Sequence, residues 1–521
     1  MNMHSIRLLV LAYGVICNNV HADIVYRIKH TGNDILVQAQ FSGCDSATKI
    51  EELYIPERIW GADYSQQIKN VKVIRGPYYN PNSFIANKNS QSDVDYSGYS
   101  IEYNITKLKY DDLIDTFGNR YHHFFDKDQF FLFGLGLFVL PKSLLEQKDK
   151  KVSIIIDSTV KQIVSTITPY NSNIIETTVG GLDDIVIIGG KRLDQSQDKN
   201  LNINIIVPHL DDKFFKKISN MVLETVKKEQ DFFDDKFTKS KLFLFVPAPF
   251  LDTGKRVCGG TVIGNATIIF INYNAVDDND LSEVINHESL HFWIGNKGVI
   301  NGPPWVREGF TDYLVDKINY YYSGDKLAFI NKYNQKLKKY FITMVDDIPD
   351  NVINDNYLNY TLTEKIYYLK GYIILGQIDN IIDLHSALKS MVKNCKAANN
   401  ICEFSTKLLA QNIDINAHTK SEIKNMISGF SVKNLNQQFF GAKLLNKHIQ
   451  VEQIPNLANV IKNGYIKSAH IDDPKYHGNQ YVHEISRKDS GKLDIYIRVG
   501  EDVRHIPLKV NKTTIEVPYY E

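Results

Sequence analysis

The stretch that most restricts the fold is INHESLHFWIGNKGVINGPPWVREGFTDY, residues 285–313. It carries His287 and His291 four residues apart, Glu288 between them, and Glu308 after a double proline. Asp280 followed by Glu283 makes a capping-box-like start and Gly295 a natural stop, so the sequence predicts one helix over 281–294. Side chains four apart stack on one helix face, which lets both imidazoles reach a single metal ion. Pro303 and Pro304 suit the entry to a second helix, along one face of which Trp305, Glu308, Asp312 and Val315 recur. Residues 295–303 are enough for this second helix to turn back against the first. His287, His291 and Glu308 are therefore expected to hold zinc, with the fourth position left open for chemistry. Glu288 falls beside the metal, where a general base for the attacking water belongs. Asp312, one turn beyond Glu308, is expected to accept a hydrogen bond from the far nitrogen of a ligand histidine. An amphipathic helix with two surface histidines is the plainer reading. It leaves unexplained the cap, the Glu-Gly-Phe-Thr-Asp run and the apolar Leu290, Phe292 and Trp293 around the histidines.

The chain has 521 residues, 43% of them apolar, which is enough for about three domains. Lysine plus arginine balances aspartate plus glutamate at 60 each, so no basic field draws nucleic acid, and nucleic acid is set aside as a partner. Residues 1–22 have the layout of a secretory signal peptide: an arginine, an apolar run over 8–17 too short to span a bilayer, and Ala22 before the expected cut. Export to a periplasmic or extracellular location follows, with no transmembrane segment after signal removal. Residues 130–141, FFLFGLGLFVLP, are also too short to span and read as buried strand.

Short alternating runs separated by Gly, Asn, Asp and Ser make 23–205 a β-rich domain. Helical periodicity enters near Lys213 and dominates from Asp280 to about Ser431, within a domain over 206–432; residues 433–521 alternate again as a small β-rich module. Four cysteines follow the signal. Cys395 and Cys402 flank a turn-like Ala-Ala-Asn-Asn and are expected to bridge; Cys44 with Cys258 follows only by elimination, and buried thiols fit those two equally well. His122 and His123 lack any metal-binding frame and read as surface or packing residues.

HESLHFW, then PPWVREGFTDYL, then YYLKGYIILGQID about sixty residues later, resemble the gluzincin aminopeptidases, and most of all the glycyl aminopeptidase family. The resemblance implies a multidomain α+β chain: an N-terminal β-rich domain, a thermolysin-like, mainly helical zinc-peptidase domain, and a C-terminal PDZ-like module. It implies an exported zinc metallopeptidase acting on peptide or protein substrates. It also implies that Tyr368, in the Tyr-x-Lys-Gly run with Lys370 and Gly371, stabilises the oxyanion. The sequence departs from the family in three ways. The interval between His291 and Glu308 is short for the clan, and the C-terminal module, from about Pro455, is short for a PDZ domain. In CGGTVIGNATIIF, where relatives carry a glutamate that holds the substrate amine, this chain has Thr261, Val262 and Ile263. Either Asp252, Asp277 or Asp278 replaces that acid or free amino termini are not selected. The missing acid also motivates a rival reading, a peptide-binding protein with little turnover, against which Glu288 and Tyr368 count. A purely structural zinc site would close its fourth position with another Cys or His, and none is nearby.

Overall fold

A computed structural model describes residues 24–41, much of 49–107, 122–167, 171–209, 211–248, 258–295, 298–344, 360–428, 435–453 and strands within 480–521. The expected signal peptide over 1–22, with Cys17, and Cys44 and Asp252 lie outside these residues. The chain divides into two compact units. The first holds the described residues up to Lys199 with Ile203–Ser219 and Ser240–Asp277; the second holds Asn200–Asn202, Asn220–Lys239 and Asp278–Glu521.

Alternation builds the first unit. Ile24, Tyr26 and Ile28 are buried on one face of the strand Ile24–His30 and pair across an antiparallel ladder with Phe41, Ala39 and Val37 of Ile35–Phe41. This pair sits inside a seven-stranded sheet in which Ile24–His30 also runs parallel to Lys151–Ser158. A five-stranded sheet follows, with Lys241–Pro247 parallel to both Ile203–Pro208 and Ala266–Ile271. Every residue of Ile203–Pro208 and Ala266–Ile271 is buried, which is why these strands, with only Asn204 and Thr267 polar, read as near-continuous apolar runs rather than alternating ones. Leu242, Leu244, Ile268 and Phe270 from this sheet share one hydrophobic core with the N-terminal strands. The edge strand Cys258–Ile263 pairs antiparallel with Ala266–Ile271, and Thr261 and Val262 on it are half-buried.

Residues 130–141 are buried as expected but are not one strand. The strand Gln129–Phe133 gives way to a helical turn, Gly134–Leu137, and then to Leu140–Pro141. The reason is the partner: Phe133 faces Val186, the first residue of the neighbouring strand, and past one further bond from the Gly134 N–H to the Ile185 carbonyl the neighbour is the helical turn Val179–Asp184. His123 is a packing residue. Its Nε2 bonds the Gly136 carbonyl at 3.0 Å, its Nδ1 accepts the Phe133 N–H at 3.2 Å, and burial lowers its pKa to about 4.

The second unit is mainly helical. Helix α1 (Asp212–Phe233) begins in the first unit and continues in the second from Asn220. It is followed by α2 (Asp278–Leu290), α3 (Phe310–Ser323), α4 (Lys326–Met344), α5 (Tyr360–Asp379) and α6 (Leu384–Ala397). Gly324, left-handed at φ 70°, closes α3 and lets α4 fold back beside it. Cys395 at the end of α6 is bridged to Cys402, as the spacing anticipated. Cys258 is buried, and its suggested partner lies outside the described residues.

The C-terminal residues are β-rich. Ala442–Gln453 pairs along its length with Asn511–Tyr520, and Gln480–Lys488, Lys492–Val499 and Asp502–Lys509 form a separate meander. No helix among the described residues is long and apolar enough to cross a membrane.

Candidate metal centre

Helix α2 and the turn that follows it bring His287 and His291 to a fixed place because their back is tied to α1. Thr225, Glu229 and Phe233, four apart on α1, meet Asn286, Ser289 and Trp293. Thr225 donates to Asn286 at 2.8 Å and Ser289 donates to Glu229 at 2.6 Å. Trp293, fully buried, stacks on Phe233 at 5.0 Å and donates its indole N–H to Asp235 at 2.7 Å. The apolar residues around the histidines therefore anchor the helix.

The expected helix over 281–294 is corrected at both ends: α2 runs from Asp278 to Leu290. Asp278 and Asp280 both lie in its first turn, where carboxylates complement the helix dipole. The early end has a physical cause in the loop that follows. The Ile300 N–H donates to the Trp293 carbonyl and the Gly295 N–H to the Ile300 carbonyl, both at 2.8 Å, so the backbone turns out of the helix after Leu290. That turn brings the Ile294 carbonyl to 2.9 Å from His291 Nδ1. Gly295, at φ 126°, supports it: a Cβ there would lie 2.9 Å from the same Nδ1.

Glu308 sits on a π-helical turn, Trp305–Gly309, that leads directly into α3. Helix α5 crosses this turn in backbone contact. A Cβ on Gly371 would fall 1.8 Å from the Trp305 carbonyl oxygen, and one on Gly309 would fall 2.5 Å from the Gly371 Cα. The crossing sets Tyr368, one turn before Gly371, against Glu308: the phenol bonds the carboxylate, and the ring lies 5.7 Å from that of His287.

The sequence-expected residues thus meet. Donor atoms of His287, His291 and Glu308 all lie within 4.8 Å of one another. His287 Nε2 is 3.4 Å and His291 Nε2 3.7 Å from Glu308 Oε2. These separations match a tetrahedral edge of roughly 3.3 Å for metal–ligand bonds of about 2.0–2.1 Å. Each Nδ1 faces a group that only accepts, Asp312 at 2.9 Å for His287 and the Ile294 carbonyl for His291, so each Nδ1 carries a proton and both Nε2 atoms converge on Glu308. The donor set fits zinc. Glu288, buried on α2 between the histidines, lies near enough for its charge to raise the His287 pKa.

Charge supports the same geometry. Burial pushes the Glu308 carboxyl up, but His287, His291 and the Tyr368 hydroxyl outweigh it and pull the pKa down to about 2. Burial also opposes a charge on Asp312, yet the Lys336 ammonium and the His287 N–H hold this carboxyl well below the usual range. Burial lowers both histidines; at His287 the neighbouring carboxylates reverse the effect. Lys336 of α4, 2.6 Å from Asp312 Oδ2, was not foreseen. A second group, Asp194, His209 and Asp212, lies in the first unit, but the Arg192 guanidinium already bonds both of its carboxylates.

Residues 219–430 match the model of the peptidase family M1 domain. The chain carries a peptidase family M1 domain. An aminopeptidase N family protein from Idiomarina loihiensis, known from its crystal structure, shares the fold at a TM-score of 0.55 and 13% identity, over 96% of this chain and 98% of that one. No curated protein matches the chain in sequence. The expected kinship with gluzincin aminopeptidases is borne out, with M1 as the family whose model matches, and the M1 domain makes the chain an aminopeptidase-like zinc metallopeptidase.

The M1 domain's helix crossing yields a test. Gly371→Ala forces α5 off the π-helical turn and is expected to lower stability by about 1–3 kcal/mol in thermal or denaturant unfolding. A variant as stable as the parent contradicts the backbone contact.

Proposed function

We propose that the chain is an exported peptidase in which His287, His291 and Glu308 hold zinc, Glu288 is the general base and Tyr368 the oxyanion donor. The observation that carries this reading is the convergence of two Nε2 atoms and one carboxylate oxygen, with each far ring nitrogen tied by an acceptor. Bound zinc supplies a Lewis acid that polarises a carbonyl and acidifies water. Glu288 takes the proton from the attacking water and later gives it to the leaving amine. Tyr368 donates its hydroxyl hydrogen to the oxygen on which charge develops. Asp312 keeps His287 in the tautomer and orientation that present Nε2. The layout of residues 1–22 and the Cys395–Cys402 bridge support export, since disulfides persist in oxidising compartments.

Glu288→Gln is expected to keep the metal and the fold while removing most hydrolysis, because the amide cannot serve as a base. Tyr368→Phe should retain metal and lose on the order of a hundredfold in kcat. Activity equal to the parent in either variant removes that residue from the mechanism.

Selectivity is a separate matter. The edge strand Cys258–Ile263 carries no acid to pair with a substrate ammonium, and an unpaired buried ammonium is costly. The enzyme is therefore expected to cleave a free-amine peptide and its acetylated twin at similar rates. Strong preference for the free amine would show that another acid, with Asp277 and Asp278 the nearest in sequence, does the anchoring.

A further inference from the structure

The sequence expectation stopped at Asp312, but the polar chain behind His287 goes further. Asp312 divides its two oxygens: Oδ1 takes His287 Nδ1 at 2.9 Å and Oδ2 takes Lys336 Nζ at 2.6 Å. A carboxylate on a helix can swing about its own side-chain bonds, and a single bond from an imidazole does not stop it. A second bond, from a cation on a different helix, does.

Lys336 is itself well held. One turn earlier on α4, Lys332 reaches Asp316 at 2.7 Å, and Asp316 stands one turn beyond Asp312 on α3. The two lysines and two aspartates form a pair of rungs between the antiparallel helices. Tyr372 of α5 closes the space between the rungs: its hydroxyl donates to Asp316 Oδ2 at 2.9 Å, and Lys336 Nζ lies 5.2 Å from its ring centroid.

Helix α4 is fixed from its other side by the C-terminal strand. Asn334, two residues before Lys336, donates to the Tyr520 carbonyl at 2.7 Å and accepts the Tyr520 N–H at 2.8 Å, as a neighbouring strand would. Tyr333 stacks on Phe439 at 3.9 Å, and its hydroxyl accepts from Gln377, which also bonds the Tyr520 hydroxyl. These contacts place the ammonium in a set position rather than on a swinging surface side chain.

We propose that Lys336 is a positioning residue for the metal centre, orienting Asp312 so that His287 presents Nε2 alongside His291 and Glu308. The inference rests on the metal-centre reading above. It adds that zinc affinity depends on a residue that touches neither metal nor substrate and that the C-terminal strand helps to seat.

Chelator competition on the full chain tests it, with zinc as the probe. Lys336→Met is expected to weaken zinc binding about 10–100-fold, the usual cost of losing a partner outside the ligand set. It should also change the visible spectrum of the cobalt-substituted protein, which reports ligand geometry. Lys336→Arg should recover most of the affinity, and in an Asp312→Asn background Lys336→Met should add less than about twofold, since the two act in series. If the Met variant does not fold, Lys336→Gln, which keeps a donor without the charge, replaces it. Zinc affinity and cobalt spectrum like the parent's, with only a lower melting temperature of the metal-free protein, would make Lys336 a structural ion pair and overturn the proposal. So would an equal loss in the Asp312→Asn background. A parent chain that binds no zinc would instead sink the metal-centre reading itself.

Discussion

Two glycines let two backbones touch, and the site depends on that contact. Gly309 follows Glu308 and Gly371 follows Tyr368 by three residues, so bringing their Cα atoms together brings a carboxylate and a phenol together as well. Side chains at either position would push the helices apart by more than the length of a hydrogen bond's tolerance. The π-helical turn belongs to the same arrangement. It lies where α5 presses on the Trp305 carbonyl, and such turns recur at functional sites because they re-aim a side chain without ending the helix.

The histidines are set by a different constraint, which comes from behind. Asn286 and Ser289 of α2 are hydrogen-bonded to α1, and Trp293 of the turn that follows stacks on it, so the helix cannot roll. Each imidazole then has one nitrogen spent on an acceptor and one left for a metal. Glu308 and Asp312 stay ionised despite burial, because the cations and donors around them outweigh the desolvation penalty. The carboxylates that favour a positive charge at His287 favour a divalent cation in the proton's place, where an anionic carboxylate and two imidazole nitrogens form its donor set.

What the sequence made legible was whatever depends on short spacing. His287 and His291 four apart share one metal-sized site with Glu308, Asp312 four beyond Glu308 reaches the same His287 from its far side, and Cys395 bridges Cys402 seven residues on. The end of α2 was misplaced because Gly295 looks like a helix stop, whereas it serves a loop closed by Ile300, a pairing that no local pattern announces. The π-helical turn has no periodic signature either. Lys336 was missed for a tertiary reason: Asp312 and Asp316 on one helix and Lys332 and Lys336 on the next become a ladder only once α3 and α4 are known to lie antiparallel. The glycines after Glu308 and Lys370 were visible as a motif, but their physical meaning, a crossing without side chains, needed both helices in place.

The central claim is that one zinc ion is held by three named atoms. Anomalous diffraction at the zinc edge, from crystals of the zinc-loaded chain, tests it most directly. The account predicts one strong peak about 2.0–2.2 Å from His287 Nε2, His291 Nε2 and a Glu308 carboxylate oxygen. A peak at Nδ1 of either histidine, or at a site lacking Glu308, would contradict it.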